Sequence, residues 1–186
     1  LDAILMDITT LRAETPAAET LLHFNNAGCA LSPKAVTDAV LAHLQLEQNL
    51  GGYEAANHAA SAMENFYLAL AALLHCQPED IAFVENATRA WEMALYALPL
   101  KPGDEIIYFD SEYASNYLGL LHLVRQRGVA LIHAPMTDSG LVDLERLEAS
   151  ISGKTRLLAL THVASQRGDI QPAAAVGEIA RRHGLY

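Results

Sequence analysis

With 186 residues and 52% hydrophobic content, the chain is long enough for one domain of ordinary size with a real core, and too short to expect two complete ones. Its formal net charge of -10, from 22 acidic against 12 basic residues with no Lys/Arg cluster, argues against nucleic acid as a partner. No apolar run approaches the ~20 residues of a membrane-spanning helix, no basic n-region opens an export signal, and Cys29 and Cys76 belong to no CxxC or Cys/His cluster, so a soluble cytoplasmic protein without disulfide or zinc is expected.

Ile4, Leu5, Ile8 and Leu11 recur at helical spacing and predict a short amphipathic helix. Leu22-His23-Phe24-Asn25-Asn26-Ala27-Gly28 reads as a strand running into a loop, because Asn and Gly tolerate unusual backbone angles. Ser32-Pro33 predicts a helix start capped by the Ser hydroxyl, with Val36, Val40 and Leu44 as its buried stripe. After Gly51-Gly52 a longer helix carries Met63, Phe66, Tyr67, Leu70 and Leu74 as far as Gln77-Pro78.

From Asp80 the pattern changes to alternation. Strands are expected over residues 81–85, 105–109, 129–134 and 156–161. Helices are expected from Thr88 with Trp91, Ala94, Leu95 and Leu98 inward, then over residues 115–127, 142–151 and 172–183. Strands alternating with helices of this length imply βαβ units and a mostly parallel sheet, hence a three-layer α/β/α class. The change of style near Cys76 sets the expected boundary, with residues 1–76 a helical segment and substrate-side loops, and residues 77–186 an α/β domain. The chain opens at Leu1 rather than Met and closes at Leu185-Tyr186, where the alternation calls for a further strand, so it reads as part of something longer.

In open parallel sheets the ligand sits beyond the carboxyl ends of the strands. Glu85-Asn86-Ala87-Thr88-Arg89-Ala90 turns a strand into a helix whose first amides and dipole favour an anion such as a phosphate, although Asn86 or Thr88 can equally be a plain N-cap. Asp110-Ser111-Glu112-Tyr113-Ala114-Ser115-Asn116 sets an aromatic ring at a second helix start, where a flat ring could stack on Tyr113, or where Tyr113 is a loop aromatic and Ser115 or Asn116 a cap. Thr161-His162-Val163-Ala164-Ser165-Gln166-Arg167-Gly168 brings a hydroxyl, an imidazole and a guanidinium to the end of another strand. The loops at Asn25-Asn26-Ala27-Gly28 and Gly51-Gly52-Tyr53-Glu54 read as turns unless a pocket recruits them.

No GxGxxG follows the first α/β strand, there is no HExxH and no GxSxG elbow. Gly153-Lys154-Thr155 has the tail of a phosphate-binding loop, but Glu148 holds the required first-Gly position and the segment precedes a strand.

Taken in order, Asn25-Asn26-Ala27-Gly28, Gly52-Tyr53-Glu54-Ala55-Ala56, Glu85 to Ala90, Glu112 to Asn116 and Thr161 through Gly168 to Pro172 resemble the class V aminotransferases of fold-type I pyridoxal-phosphate enzymes. The nearest branch looks isopenicillin N epimerase-like and cysteine desulfurase-like. The resemblance implies that Ala87 and Thr88 bind the cofactor phosphate, that Tyr113 stacks on the pyridine ring where many relatives have a histidine, and that Ser165 stands where an asparagine often lies near the phenolic oxygen. Asn26, Ala27 and Arg167 would face an amino-acid substrate. It also implies a homodimer and a transferase or lyase reaction: transamination, desulfuration, elimination or epimerisation.

That chemistry needs a lysine bonded to the cofactor and a carboxylate at the ring nitrogen. In relatives both lie beyond the equivalent of Tyr186, and Lys34, Lys101 and Lys154 occupy a helix start and two turns. The chain is therefore expected to be an N-terminal portion, inactive alone, with no catalytic residue of its own. The competing expectation is a non-catalytic scaffold or assembly module that keeps the fold.

Overall fold

A computed structural model describes residues 7–186 and divides the chain into two units, Leu1–Phe83 and Val84–Tyr186. Each is described by itself.

In the first unit, α1 spans Ile8–Ala13 and starts at Asp7, whose carboxylate accepts from the Thr9 amide at 3.0 Å. Ile4 and Leu5, assigned to this helix from sequence, lie outside the described residues. α2 (Lys34–Leu50), α3 (Gly52–His58) and α4 (Ala60–Leu74) follow. The single helix expected after Gly51-Gly52 is thus two, α3 and α4, meeting at Ala59.

Three further expectations fail here. The segment from Leu22 forms no strand, because no neighbouring backbone among the described residues pairs with it; it runs into a turn at residues 26–28. Ser32 does not cap α2: Pro33 holds the N-cap position without a side-chain bond, and the Lys34 amide donates instead to the Glu14 carbonyl at 2.7 Å. Val36, Val40 and Leu44 are about half exposed (54%, 55% and 55%), since helical periodicity marks an apolar face but not what covers it. Phe66 nevertheless packs edge-on to Phe83, with ring centroids 5.6 Å apart.

The second unit holds α5 (Ala87–Ala97), β1 (Glu105–Tyr108), α6 (Ala114–Arg127), β2 (Ala130–His133), α7 (Leu144–Ser150), β3 (Thr155–Ala159) and α8 (Ala173–His183). The three strands form one parallel sheet in the order β2-β1-β3. Residues 81–85, expected as the first strand, join no ladder: a strand is defined by its partner, and none is present among the described residues.

Alternation along β1 explains the layers. Ile106 joins Leu95, Leu120, Leu123 and Leu157 on the α5/α6 face, while Ile107 and Phe109 join Leu147, Leu158, Val176 and Ile179 on the α7/α8 face. Helices on both faces of a parallel sheet give the expected α/β/α architecture. Arg127 at the end of α6 donates to the Leu98 and Tyr96 carbonyls, both at 2.7 Å, and so satisfies the carboxyl end of α5. Gly128 then ends α6 at φ +66, a left-handed angle that suits glycine.

β1 is central and its crossover through α6 leads out to β2, whereas α8 leads the other way, setting Tyr186 on the free side of β3 through bonds of 2.9 Å with Arg156 and Leu158. The connections leaving β1 and β3 thus diverge, which opens a crevice between the carboxyl ends of those two strands.

On the far surface, α7 and α8 are linked by Glu148, which accepts from Arg182 at 2.8 Å and 2.9 Å and from His183 at 3.0 Å. Those hydrogen bonds, Arg182 first, hold the Glu148 carboxyl below the ordinary glutamate value. A folded value below the unfolded one gives stability that is present above the ordinary glutamate value and is lost as pH falls through the lowered one. Glu148→Gln should accordingly flatten the acid limb of a stability-against-pH curve measured by urea unfolding. An unchanged limb would count against the link.

Candidate functional site

The starts of α5 and α6 meet beside the crevice. Asn86 is the N-cap of α5, its side-chain oxygen accepting from the Arg89 amide at 2.9 Å. The amides of Ala87 and Thr88, one and two residues further in, have no partner among the described residues, as the first turn of a helix requires. Thr88 Oγ1 lies 2.9 Å from Ser115 Oγ in a partly buried contact. Ser115 is the second residue of α6, as Thr88 is of α5, and no side chain caps α6. Two helix amino ends and two hydroxyls therefore sit together, a donor set suited to a phosphate ester.

Glu112 organises the crevice. Its Oε1 accepts from the Tyr113 amide at 2.8 Å, from Asn116 Nδ2 at 3.0 Å, and from the Thr161 hydroxyl. The loop after β1, the first turn of α6 and the exit of β3 are thereby tied to one carboxylate. Glu112 Oε2 is buried and without a partner among the described residues. Tyr113 follows as the N-cap residue of α6, 53% exposed, so its ring is open to a planar ligand.

Beyond β3, residues 161–171 form a small hairpin with a Val163–Ile170 bridge. Gln171, 6% exposed, donates from its side chain to the Gly140 carbonyl at 2.9 Å and accepts from the Val142 amide at 3.0 Å, pinning this hairpin to the loop after β2. The hydroxyl, imidazole and guanidinium expected to converge here do not. Thr161 turns to Glu112, His162 is exposed, and Arg167 pairs with Asp169 at 2.5 Å because that carboxylate is two residues away. The Arg167 guanidinium lies over Gly140, where a Cβ would clash with it and φ is +82. Ser165 is exposed on the same hairpin.

Asn26 and Ala27 belong to the first unit, in the turn closed by the Gly28 amide donating to the Asn25 carbonyl at 3.1 Å. Asn26 also lines an open groove of that unit with Leu11, Leu22 and Phe24. Lys101 and Lys154 precede β1 and β3, at the amino ends of the strands and away from the crevice, and Lys34 pairs with Asp38 on α2. Sequence reasoning left Ser115 as a possible cap and passed over Glu112 and Gln171 as single residues. Their partners lie 27, 49 and 31 positions away, at Thr88, Thr161 and Gly140, and no local signal carries such pairings.

No helix among the described residues is long and apolar enough to cross a membrane. The family model for class-V aminotransferases matches residues 22–186. A probable cysteine desulfurase of Pseudomonas aeruginosa is 30% identical over 94% of this chain, and one of Halobacterium salinarum 26% identical over all of it. Both matches cover 46% of the relative, so the chain spans about half the length of these curated relatives. Among solved structures, a C-DES mutant with glycine covalently linked to its PLP cofactor superposes with a TM-score of 0.85 at 24% identity, over 92% of this chain and 46% of that one. The apo cysteine desulfurase of Thermococcus onnurineus NA1 gives 0.84 at 24% identity, over 96% and 46%. These likenesses show the fold.

Proposed function

Because the chain belongs to the class-V aminotransferase family, we propose that it forms the phosphate-binding portion of a pyridoxal-phosphate enzyme acting on an amino acid. The observation that carries this reading is the meeting of Thr88 and Ser115 at two adjacent helix starts beside the β1/β3 crevice. Among the reactions of the class, desulfuration of a sulfur-bearing amino acid is favoured by the relatives, which are named cysteine desulfurases. A homodimer is part of the same proposal.

The donor set fits the phosphate end of the cofactor. Free amides at Ala87 and Thr88 and the Thr88 hydroxyl would hold the phosphate, the open ring of Tyr113 would cover one face of the pyridine, and Ser165 would stand toward its phenolic oxygen. When bound, pyridoxal phosphate supplies an electron sink for breaking bonds at the substrate α-carbon and beyond. Glu112 keeps Tyr113 and the Thr161 strand exit in register. Arg167 would face the substrate from the hairpin beyond β3. No covalent step is assigned to Lys34, Lys101 or Lys154, which stand on α2 and at the strand ends opposite the crevice.

Thr88→Ala tests the reading. It should weaken pyridoxal-phosphate binding by about tenfold, the order expected when a hydrogen bond to a charged group, worth ~1.5 kcal/mol, is lost. Titration followed through Trp91, the single tryptophan and one turn along α5 from Thr88, reports it. An unchanged affinity would remove the phosphate assignment.

A further inference from the structure

We infer that Ser115 is a positioning residue for the phosphate group: its hydroxyl donates to Thr88 Oγ1 and thereby commits the Thr88 hydrogen to the anion. The inference rests on the phosphate reading proposed for the start of α5.

A hydroxyl carries one hydrogen and two acceptor lone pairs. Across the 2.9 Å contact only one hydrogen can lie between Thr88 Oγ1 and Ser115 Oγ, so the pair always keeps one hydrogen to spend outward. A phosphate dianion accepts and does not donate, so it selects the arrangement in which the outward hydrogen faces it. Thr88 is β-branched and restricted at χ1, and its hydroxyl belongs to the same residue as one of the two free amides, whereas the unbranched Ser115 side chain can turn to follow. Ser115 therefore serves as the inner donor and Thr88 as the outer one. Without Ser115, the Thr88 hydrogen is free to turn toward other acceptors and the ligand must order it. The Asn86 cap already consumes the Arg89 amide, so α5 offers the anion only the two remaining amides and this one hydroxyl.

The test is a double-mutant cycle on the full chain with pyridoxal phosphate and pyridoxal as separate ligands, read by Trp91 fluorescence and by calorimetry. Ser115→Ala should weaken pyridoxal phosphate about fivefold, leave pyridoxal unchanged, and add no further loss in a Thr88→Ala background. Ser115→Thr, which keeps the donor, should bind as the parent does. Equal weakening of both ligands would make Ser115 a general structural support and overturn the inference. An additional loss in the Thr88→Ala background would make Ser115 an independent contact, which also overturns it. If Ser115→Ala is silent while Thr88→Ala weakens binding, the inference falls and the phosphate reading stands. If Thr88→Ala is silent too, both fall.

Discussion

Phe109→Ala should destabilise the protein by about 3 to 5 kcal/mol, the usual cost of deleting a fully buried aromatic side chain. Phe109 is 1% exposed, immediately follows β1, and packs among Ile107, Leu147, Val176 and Ile179 under α7 and α8. The sheet and two helices meet there, so neighbours cannot collapse into the vacancy without shifting backbone. Since folded domains hold only about 5 to 15 kcal/mol in total, the loss should be plain as a lower urea midpoint at unchanged slope. Phe109→Leu keeps most of the volume and should cost less than about 1.5 kcal/mol. Phe83 is the contrast: also an aromatic in a segment that reads as a strand, but 67% exposed, so Phe83→Ala should cost about 1 kcal/mol, mainly from its edge contact with Phe66. Equal losses at the two positions would refute the assignment of the core to the β1 interior.

That contrast also shows what the sequence could and could not disclose. Residues 81–85 and 105–109 are comparably apolar, and both read as strands. Among the described residues only the second has laddered neighbours on each side, and a ladder is a relation between distant segments that local pattern does not encode. Helix ends were legible where a glycine stop is local, at Gly128 after α6 and Gly184 after α8, whereas α7, expected over residues 142–151, starts later because Asp143 caps it. The capping of α2 was misread because Ser32 was credited with a role that the Glu14 carbonyl fills from twenty residues upstream.

At the candidate site, the helix start at Ala87-Thr88 was legible because strand, small residues and an Asn cap are contiguous in the chain. Ser115 and Glu112 were not, since each acquires its meaning from a partner on another element. Arg167 shows how a local partner competes for a side chain. A guanidinium near a strand end suggests anion binding, yet Asp169, two residues on, takes it. A local ion pair of this kind costs little chain entropy to form, and so competes well with a more distant partner.

Glu112→Ala should be the most damaging single change at the crevice. One carboxylate oxygen takes the Tyr113 amide, the Asn116 amide nitrogen and the Thr161 hydroxyl, and removing it strands donors on three separate elements. Hydrogen bonds to a charged group contribute roughly 1.5 to 3 kcal/mol each, but three that share an acceptor are not additive, and water can reach part of the site, so a loss of about 2 to 4 kcal/mol is expected. Glu112→Gln retains an acceptor oxygen but loses the charge and places an amide nitrogen where Oε2 is buried without a partner, so it should fall between the parent and the alanine variant. Hydrogen exchange locates the effect: the amides at the start of α6 should exchange faster in Glu112→Ala, while those of α8, held through Glu148 and Arg182, should not. The same variant separates two kinds of binding residue. Loosening the link between the exits of β1 and β3 displaces Tyr113 and the hairpin beyond β3 together, so pyridoxal phosphate and pyridoxal should both bind more weakly, unlike the phosphate-confined loss expected from Ser115→Ala. Stability indistinguishable from that of an exposed control such as Glu64→Ala would show that the carboxylate does not hold the crevice together.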